Sequence, residues 1–412
     1  GGDLPMPCSK SFAQRAIICA ALAEGRSHLH GYTPCKDNES AIRAARAFGA
    51  KVTVRQATEG GAATLVIDGI GGSRKPSLAL SELDTGESGL LTRLCIPLLA
   101  AINTLPVTIR GEKTLLQRPL KGVQNVMASF GVPLRSEHVP MVITPPLIPG
   151  NAEISGVDGS QIISGLLTAL PLCSKNSTLY ISEPKSIPYM FITEDILKKF
   201  GVRIKSEMEG DERLIEEQDW SGCSQISFTV RGGQSFKPAT LTIEGDWSAA
   251  ANFLVAGAIF GKAEVSGLAT DSLQADLAIA DILVQAGAGV SEIPVDEGGQ
   301  RCNVCVSKAP LEGFEADLSN SPDLFPICAV LAAFCDGNTT LHGVDRLHGK
   351  ESDRAAAIME MLEGLGVAAA INGDVLTICG ETLTQRLTTG NLLKGSPGVF
   401  RTRHDHRMAM AL

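Results

Sequence analysis

Basic residues in this 412-residue chain recur in short clusters beside Ser, Asp or Gly. The densest is Lys350-Glu351-Ser352-Asp353-Arg354, in which Lys350 and Arg354 are four apart and, on a helix, would share a face. Lys10 and Arg15 lie either side of a helix start expected at Ser11. Arg93 follows Gly89 at the same four-residue spacing, Arg118 precedes Pro119 in a segment expected to open another helix, and Arg407 follows His404-Asp405-His406. Guanidinium groups fork phosphate and carboxylate oxygens, and a helix N-terminus adds N–H donors and partial positive charge. Ordinary N-capping accounts for any one of these starts. Taken together they read as a set of anion-binding ends.

The elements that carry these ends repeat. A small polar residue, an apolar helical run, a turn and a short alternating strand recur in Ser11–Gly31, Ser88–Gly111, Ser160–Ser182, Ser248–Gly267 and Asp323–Gly343, and a sixth begins at Asp405. Between them fall helices expected to end at Gly49, Gly131, Gly201, Gly287 and Gly366, each followed by a strand. The unit is helix, strand, helix, strand, about 80 residues long. Its spacing puts a sixth glycine-capped helix past Leu412, so the chain is expected to lack its natural C-terminus. Arg231-Gly232-Gly233-Gln234 leads to a domain boundary expected near Lys237 to Leu241.

Composition excludes several classes. With 44% hydrophobic and 20% charged residues the chain is expected to be a compact globular protein of about two to three domains. A net charge of -9 and 4% aromatic residues argue against nucleic-acid binding, which needs a basic face and stacking rings. No apolar run approaches the roughly 18 residues of a membrane span, and the start has no secretory signal, so a cytoplasmic location is expected. The 11 cysteines sit mostly in apolar runs, as buried thiols of a reducing compartment do. Cys302 and Cys305 lie in an alternating strand that would put their sulfurs on opposite faces, and His404 and His406 have no metal partner at helical spacing, so no metal is expected. Neither a Walker sequence nor a GxGxxG run precedes a helix.

The motifs Ser9-Lys10-Ser11 with Arg15, Gln117-Arg118-Pro119, Ser160-Gln161, Ser186-Ile187-Pro188-Tyr189, Glu244-Gly245-Asp246, Ser321-Pro322-Asp323, Lys350 to Arg354 and Asp405-His406-Arg407 resemble, in order and spacing, the EPSP synthase family of enolpyruvyl transferases. The resemblance covers nearly the whole chain. It implies an α/β fold of two globular domains, each of three inverse α/β repeats, with the active site in the interdomain cleft. Residues 9–240 would form one domain, and 1–8 with 241–412 the other. It implies that phosphoenolpyruvate and shikimate 3-phosphate react without cofactor or metal, the 5-hydroxyl adding to the enolpyruvyl group with loss of phosphate. Shikimate 3-phosphate would be bound by Lys10, Ser11, Arg15, Ser160, Gln161, Ser186, Tyr189, Asp323 and Lys350. Phosphoenolpyruvate would meet Lys10, Gly89, Arg118, Gln161, Arg354 and Arg407. Asp323, Glu351 and Lys10 would be catalytic. A monomer, with glyphosate as an inhibitor, is implied as well.

Glu87, Leu90, Gly159 and Arg346 depart from the family pattern, the first two beside Gly89, where they would alter the charge and shape of the phosphoenolpyruvate pocket. A further family Lys would fall beyond Leu412. Two other readings stand beside the transferase: a catalytically impaired ligand-binding or scaffold component of a larger polypeptide, and UDP-N-acetylglucosamine enolpyruvyl transferase. The latter typically has a loop Cys that Arg110-Gly111-Glu112-Lys113-Thr114-Leu115 lacks.

Overall fold

The computed structural model describes residues 3–56, 62–72, 76–216, 219–295, 301–348, 350, 352–390 and 400–412. The chain divides into two compact units, one of Cys8–Ile243 and one of Gly1–Pro7 with Glu244–Leu412. Helices of the first are α1 (Lys10–Leu22), α2 (Lys36–Ala47), α3 (Gly89–Ile102), α4 (Val123–Ser129), α5 (Gln161–Ala169), α6 (Ile187–Lys199) and the short α7 (Glu212–Glu216). Those of the second are α8 (Trp247–Phe260), α9 (Ile279–Gln285), α10 (Phe325–Ala333), α11 (Arg354–Gly364), α12 (Leu383–Thr388) and α13 (His406–Ala411). Among the described residues no helix is long and apolar enough to cross a membrane.

Two kinds of helix alternate, for a reason written in their residues. Helices α1, α3, α5 and α10 are apolar on nearly every face and are therefore buried all round. α1 is buried from Phe12 to Leu22, α3 buries every residue but Arg93, and α10 every residue but Val330. Helix α2 has one apolar side, with Ala41, Ile42, Ala44 and Ala45 turned inward. The glycines expected to end the second kind all have left-handed backbone, with φ of 106° at Gly49, 72° at Gly131, 78° at Gly201, 91° at Gly287 and 69° at Gly366.

The sheets share one plan. In the first unit Asn151–Ser155 runs parallel to Ser177–Ser182, which pairs antiparallel with Cys223–Val230, itself antiparallel to Ile204–Gly210. Glu82–Asp84, Val107–Arg110 and Met141–Ile143 repeat the parallel and antiparallel steps. In the second unit Glu315–Asp317, Gly337–His342, Val375–Gly380 and Ala368–Asn372 follow the same order. Each of these three parallel pairs is joined through a buried helix, as a strand–helix–strand crossover requires. In two sheets the parallel edge strand comes from a distant part of the chain. Asp3–Pro5 pairs with Lys262–Ala269 in the second unit, and Thr240–Thr242 with Arg26–Tyr32 in the first.

Helix starts differ from expectation at α1 and α8, and α10 begins at Phe325 after a 3₁₀ segment that contains Asp323. α1 begins at Lys10 with Ser9 as its cap, its Oγ accepting from Phe12 N at 3.4 Å, so Ser11 lies inside the first turn. α8 is capped by Asp246, which accepts from Ala249 N at 3.0 Å, leaving Ser248 to another partner. The carboxylate is the stronger cap at a positive helix end. Cys302 is buried and Cys305 partly exposed on Arg301–Ser307, as alternation requires.

Candidate functional site

In the unit Cys8–Ile243 the candidate residues gather at the N-terminal ends of buried helices. Ser88 caps α3 through Leu91 N at 3.1 Å and donates to Gln14 Oε1 on α1 at 2.6 Å, fixing those two ends together. Arg15, one turn into α1, is 3% exposed. It donates to Thr193 Oγ1 at 2.7 Å, Ser11 O at 2.8 Å, Ser164 Oγ at 3.2 Å and Tyr189 O at 3.3 Å. The guanidinium thus ties α1 to α5 and α6, carrying Ser11 and Tyr189 with it. Burial lowers its pKa to about 10, which leaves it charged at neutral pH.

Helices α3 and α5 meet at Gly165. A methyl there would sit 2.4 Å from Arg93 O and 2.7 Å from Pro97 Cγ, so only glycine allows this approach. Its result is that Arg93 Nη1 reaches Gln161 Oε1 at 3.2 Å and Gly89 O at 3.4 Å. Gly89 stands between two guanidiniums: a Cβ there would lie 3.1 Å from Arg93 Nη1 and 3.5 Å from Arg118 Nη2. Burial first and the Arg118 charge second lower the Arg93 pKa to about 10. Two like charges held this close favour an anion that neutralises both. Arg118 does not open a helix as expected. It lies in the turn after the 3₁₀ segment Lys113–Leu116, ahead of α4.

Lys10 Nζ lies 4.0 Å from Asp37. Ser160 is the buried residue before α5 and Ser186 the buried residue before α6; neither side chain caps its helix. Ser186 has a left-handed φ of 54°, a strained conformation for a serine. Glu87 forms an ion pair with Lys113 at 2.8 Å, and Leu90 is 8% exposed. The charge departure beside Gly89 is thus countered, and the side chain of the shape departure is buried.

In the second unit the constellation is tighter. Arg354 is 1% exposed in its side chain. Its Nε donates to Asp405 Oδ2 at 2.8 Å, its Nη2 to Asp405 Oδ1 at 3.4 Å and its Nη1 to Asp323 Oδ1 at 2.6 Å. Arg407 Nη2 lies 2.9 Å from Asp323 Oδ2, and Lys350 Nζ 3.9 Å from Asp323 Oδ1. Asp405 also caps α13 through Arg407 N at 3.0 Å and accepts from Ser352 Oγ at 3.0 Å. Burial alone would raise the Asp323 carboxyl, but Arg407, Arg354 and Lys350 outweigh it and hold the group well below the usual carboxylate range.

Lys350 and Arg354 are not neighbours on one helix, because α11 begins only at Arg354, capped by Asp353. They converge on Asp323 instead. Glu351 lies outside the described residues. Two contributors escaped the sequence reading: Asp405 as the buried partner of Arg354, and Asp276, buried beneath Ser248. No spacing rule links residues 51 apart, so only the fold reveals the first pair. Among the described residues no group of three or more His, Cys, Asp or Glu could hold a metal ion. His404 and His406 are exposed while Asp405 is engaged by Arg354.

Comparison with known proteins shows which family the chain belongs to. A family model described as EPSP synthase (3-phosphoshikimate 1-carboxyvinyltransferase) matches residues 1–412. A 3-phosphoshikimate 1-carboxyvinyltransferase of Methanobrevibacter smithii is 33% identical over 419 residues, covering 100% of this chain and 89% of the relative. One from Clostridium kluyveri is 33% identical over 416 residues, covering 100% and 87%. In fold the chain is similar to an EPSP synthase from Acinetobacter baumannii, with a TM-score of 0.70 at 24% identity over 100% of this chain and 88% of that one. The enolpyruvyl transferase NikO from Streptomyces tendae shares the fold at a TM-score of 0.64 and 17% identity, over 100% and 88%. The chain belongs to the EPSP synthase family.

Proposed function

We infer that the cation clusters described above bind the anionic substrates of an enolpyruvyl transfer. The chain transfers the enolpyruvyl group of phosphoenolpyruvate to the 5-hydroxyl of shikimate 3-phosphate and releases phosphate, a step of the shikimate pathway. The observation that carries the assignment of roles is Asp323, a carboxylate gripped by Arg354, Arg407 and Lys350. Two substrates bring two phosphates and two carboxylates, whose mutual repulsion must be offset by fixed cations.

Phosphoenolpyruvate takes the guanidiniums of Arg118, Arg354 and Arg407, the backbone at Gly89, and Gln161 and Lys10; Arg93, beside Gly89 and Gln161, joins them. Shikimate 3-phosphate takes Ser160, Gln161 and Ser186 at its phosphate and Ser11 at its carboxylate, with Tyr189 and Lys350 beside it. Arg15, whose N–H groups are largely spent on α1, α5 and α6, orders this surface as well as adding charge.

A carboxylate held by three cations is a poor base. When substrate anions draw those cations off, Asp323 regains basicity and accepts the proton of the 5-hydroxyl. The hydroxyl oxygen bonds to C2 as the methylene carbon takes a proton, which Lys10 and Glu351 handle. The tetrahedral intermediate then returns the double bond by losing a methyl proton and expelling phosphate. Glyphosate would compete for the phosphoenolpyruvate cations, and a monomer in the cytoplasm completes the proposal.

Asp323→Asn tests it. Turnover is expected to fall at least about 10³-fold while calorimetric affinity for shikimate 3-phosphate stays within about tenfold. Turnover within about tenfold of the parent would overturn the role of Asp323.

A further inference from the structure

Asp276 has no part in the reaction as assigned so far, yet it is 1% exposed. It lies in the 3₁₀ turn Ala275–Ala278 ahead of α9. The turn is anchored to the approach to α8: Gln274 Nε2 donates to Glu244 Oε1 at 2.9 Å and to Gly245 O at 2.8 Å, and Gln274 Oε1 accepts from Trp247 N at 3.1 Å. Ser272 Oγ donates to Glu244 Oε1 at 3.1 Å. Among the described residues the one bond to the carboxylate is from Ser248 Oγ to Oδ2. Oδ1 is buried with no hydrogen-bond partner among the described residues. On Arg407, Nε is in the same condition while Nη2 holds Asp323. Each of the two charges lies in the field of the other and is stabilised by it.

A buried carboxylate oxygen and a buried guanidinium N–H, both unpaired and in one field, are costly as they stand. They match if Arg407 turns. We propose that Asp276 is the second seat of Arg407, accepting from its Nε when the substrate anion draws the other N–H groups off Asp323 and Asp323 engages the substrate hydroxyl. The inference rests on the role given to Asp323 above. Asp276 is thereby a positioning residue: it touches no reacting atom, and it keeps Arg407 oriented and off Asp323. Without that seat Arg407 returns to Asp323 and depresses its basicity in the step that needs it.

The test is a double-mutant cycle on the full chain, with Asp276→Asn, Arg407→Lys and the pair, reading kcat, KM for both substrates and melting temperature. Asn keeps the acceptor for Ser248 and removes the charge. The expected result is a folded Asp276→Asn protein whose kcat falls about tenfold with KM values within about threefold, and a pair whose kcat equals that of Arg407→Lys alone. An unchanged kcat in Asp276→Asn, or independent and multiplicative losses in the pair, would overturn the inference. If Asp276→Asn does not fold, Ser248→Ala takes its place, and its kcat loss must likewise vanish in the Arg407→Lys background. Absence of turnover in the parent chain would instead be a failure of the proposed function.

Discussion

Arg354 and Asp405, 51 residues apart, form a two-pronged ion pair at 2.8 and 3.4 Å with both side chains sealed from solvent. Asp405 at once caps α13 and fixes Arg354; Arg354 then presents its remaining Nη1 to Asp323. The order of dependence is cap, clamp, catalytic carboxylate. A buried pair of this kind adds little net stability over an apolar replacement, but breaking it is expensive, because one charge remains without its partner.

Asp405→Asn isolates that cost. Asn still caps the helix, so the lost term is the charge on the Arg354 partner. The expected destabilisation is about 3 kcal/mol in denaturant unfolding. A loss below about 1 kcal/mol would mean that Asp323 alone satisfies Arg354.

Lys10 and Arg354 respond differently to truncation. Lys10 is part exposed and its 4.0 Å contact with Asp37 is worth at most about 1 kcal/mol, so Lys10→Met unfolds as the parent does and is inactive. Arg354→Ala strips the buried Asp405 of its counter-charge and costs about 3–5 kcal/mol. Equal melting curves for the two variants would contradict the clamp.

Gly165 sets the gap between α3 and α5. Gly165→Ala pushes a methyl against Arg93 O and is expected to cost about 1–3 kcal/mol and to raise KM for phosphoenolpyruvate by moving Gln161 off Arg93. Gly150→Ala, where a Cβ meets nothing within 4 Å, is the control and leaves both unchanged. Steady-state kinetics beside urea unfolding read the two effects separately.

Asp276 makes stability depend on pH. Burial and the neighbouring Asp323 push its carboxyl up to about 7, against Arg407 and Lys350, with Asp246 and Cys328 also in its field. An unfolded Asp ionises near 3.9, so between about pH 4 and 7 the unfolded chain holds fewer protons and stability falls as pH rises. Asp323 has the opposite sign: its depressed pKa contributes stability above about pH 4 that is lost as acid protonates it. Asp276→Asn is therefore expected to gain stability relative to the parent from about pH 5 to about pH 8 in urea unfolding. Parallel curves for the two proteins would contradict the raised carboxyl.

Much of this was legible in the sequence, for physical reasons that also mark where legibility stops. Helices apolar on every face and a glycine after each second helix are local signals, so the repeats and their left-handed caps could be read from residue order. Four-residue helical spacing links Arg93 to Gly89 and Arg15 to Ser11, and both guanidiniums do reach back one turn to those carbonyls. Lys350 misled, because Asp353 is the better cap and starts α11 after it. Asp276 gave no signal at all, since its meaning comes from Ser248 and Arg407, which lie far from it in the chain and near it in space.

The central claim is acceptor-specific enolpyruvyl transfer. Phosphate release from phosphoenolpyruvate, followed on one preparation with shikimate 3-phosphate and, in parallel, with UDP-N-acetylglucosamine, tests it most directly. Release with the shikimate ester alone is the predicted result. Release with the nucleotide sugar alone, or with neither acceptor while shikimate 3-phosphate still raises the melting temperature, would contradict it.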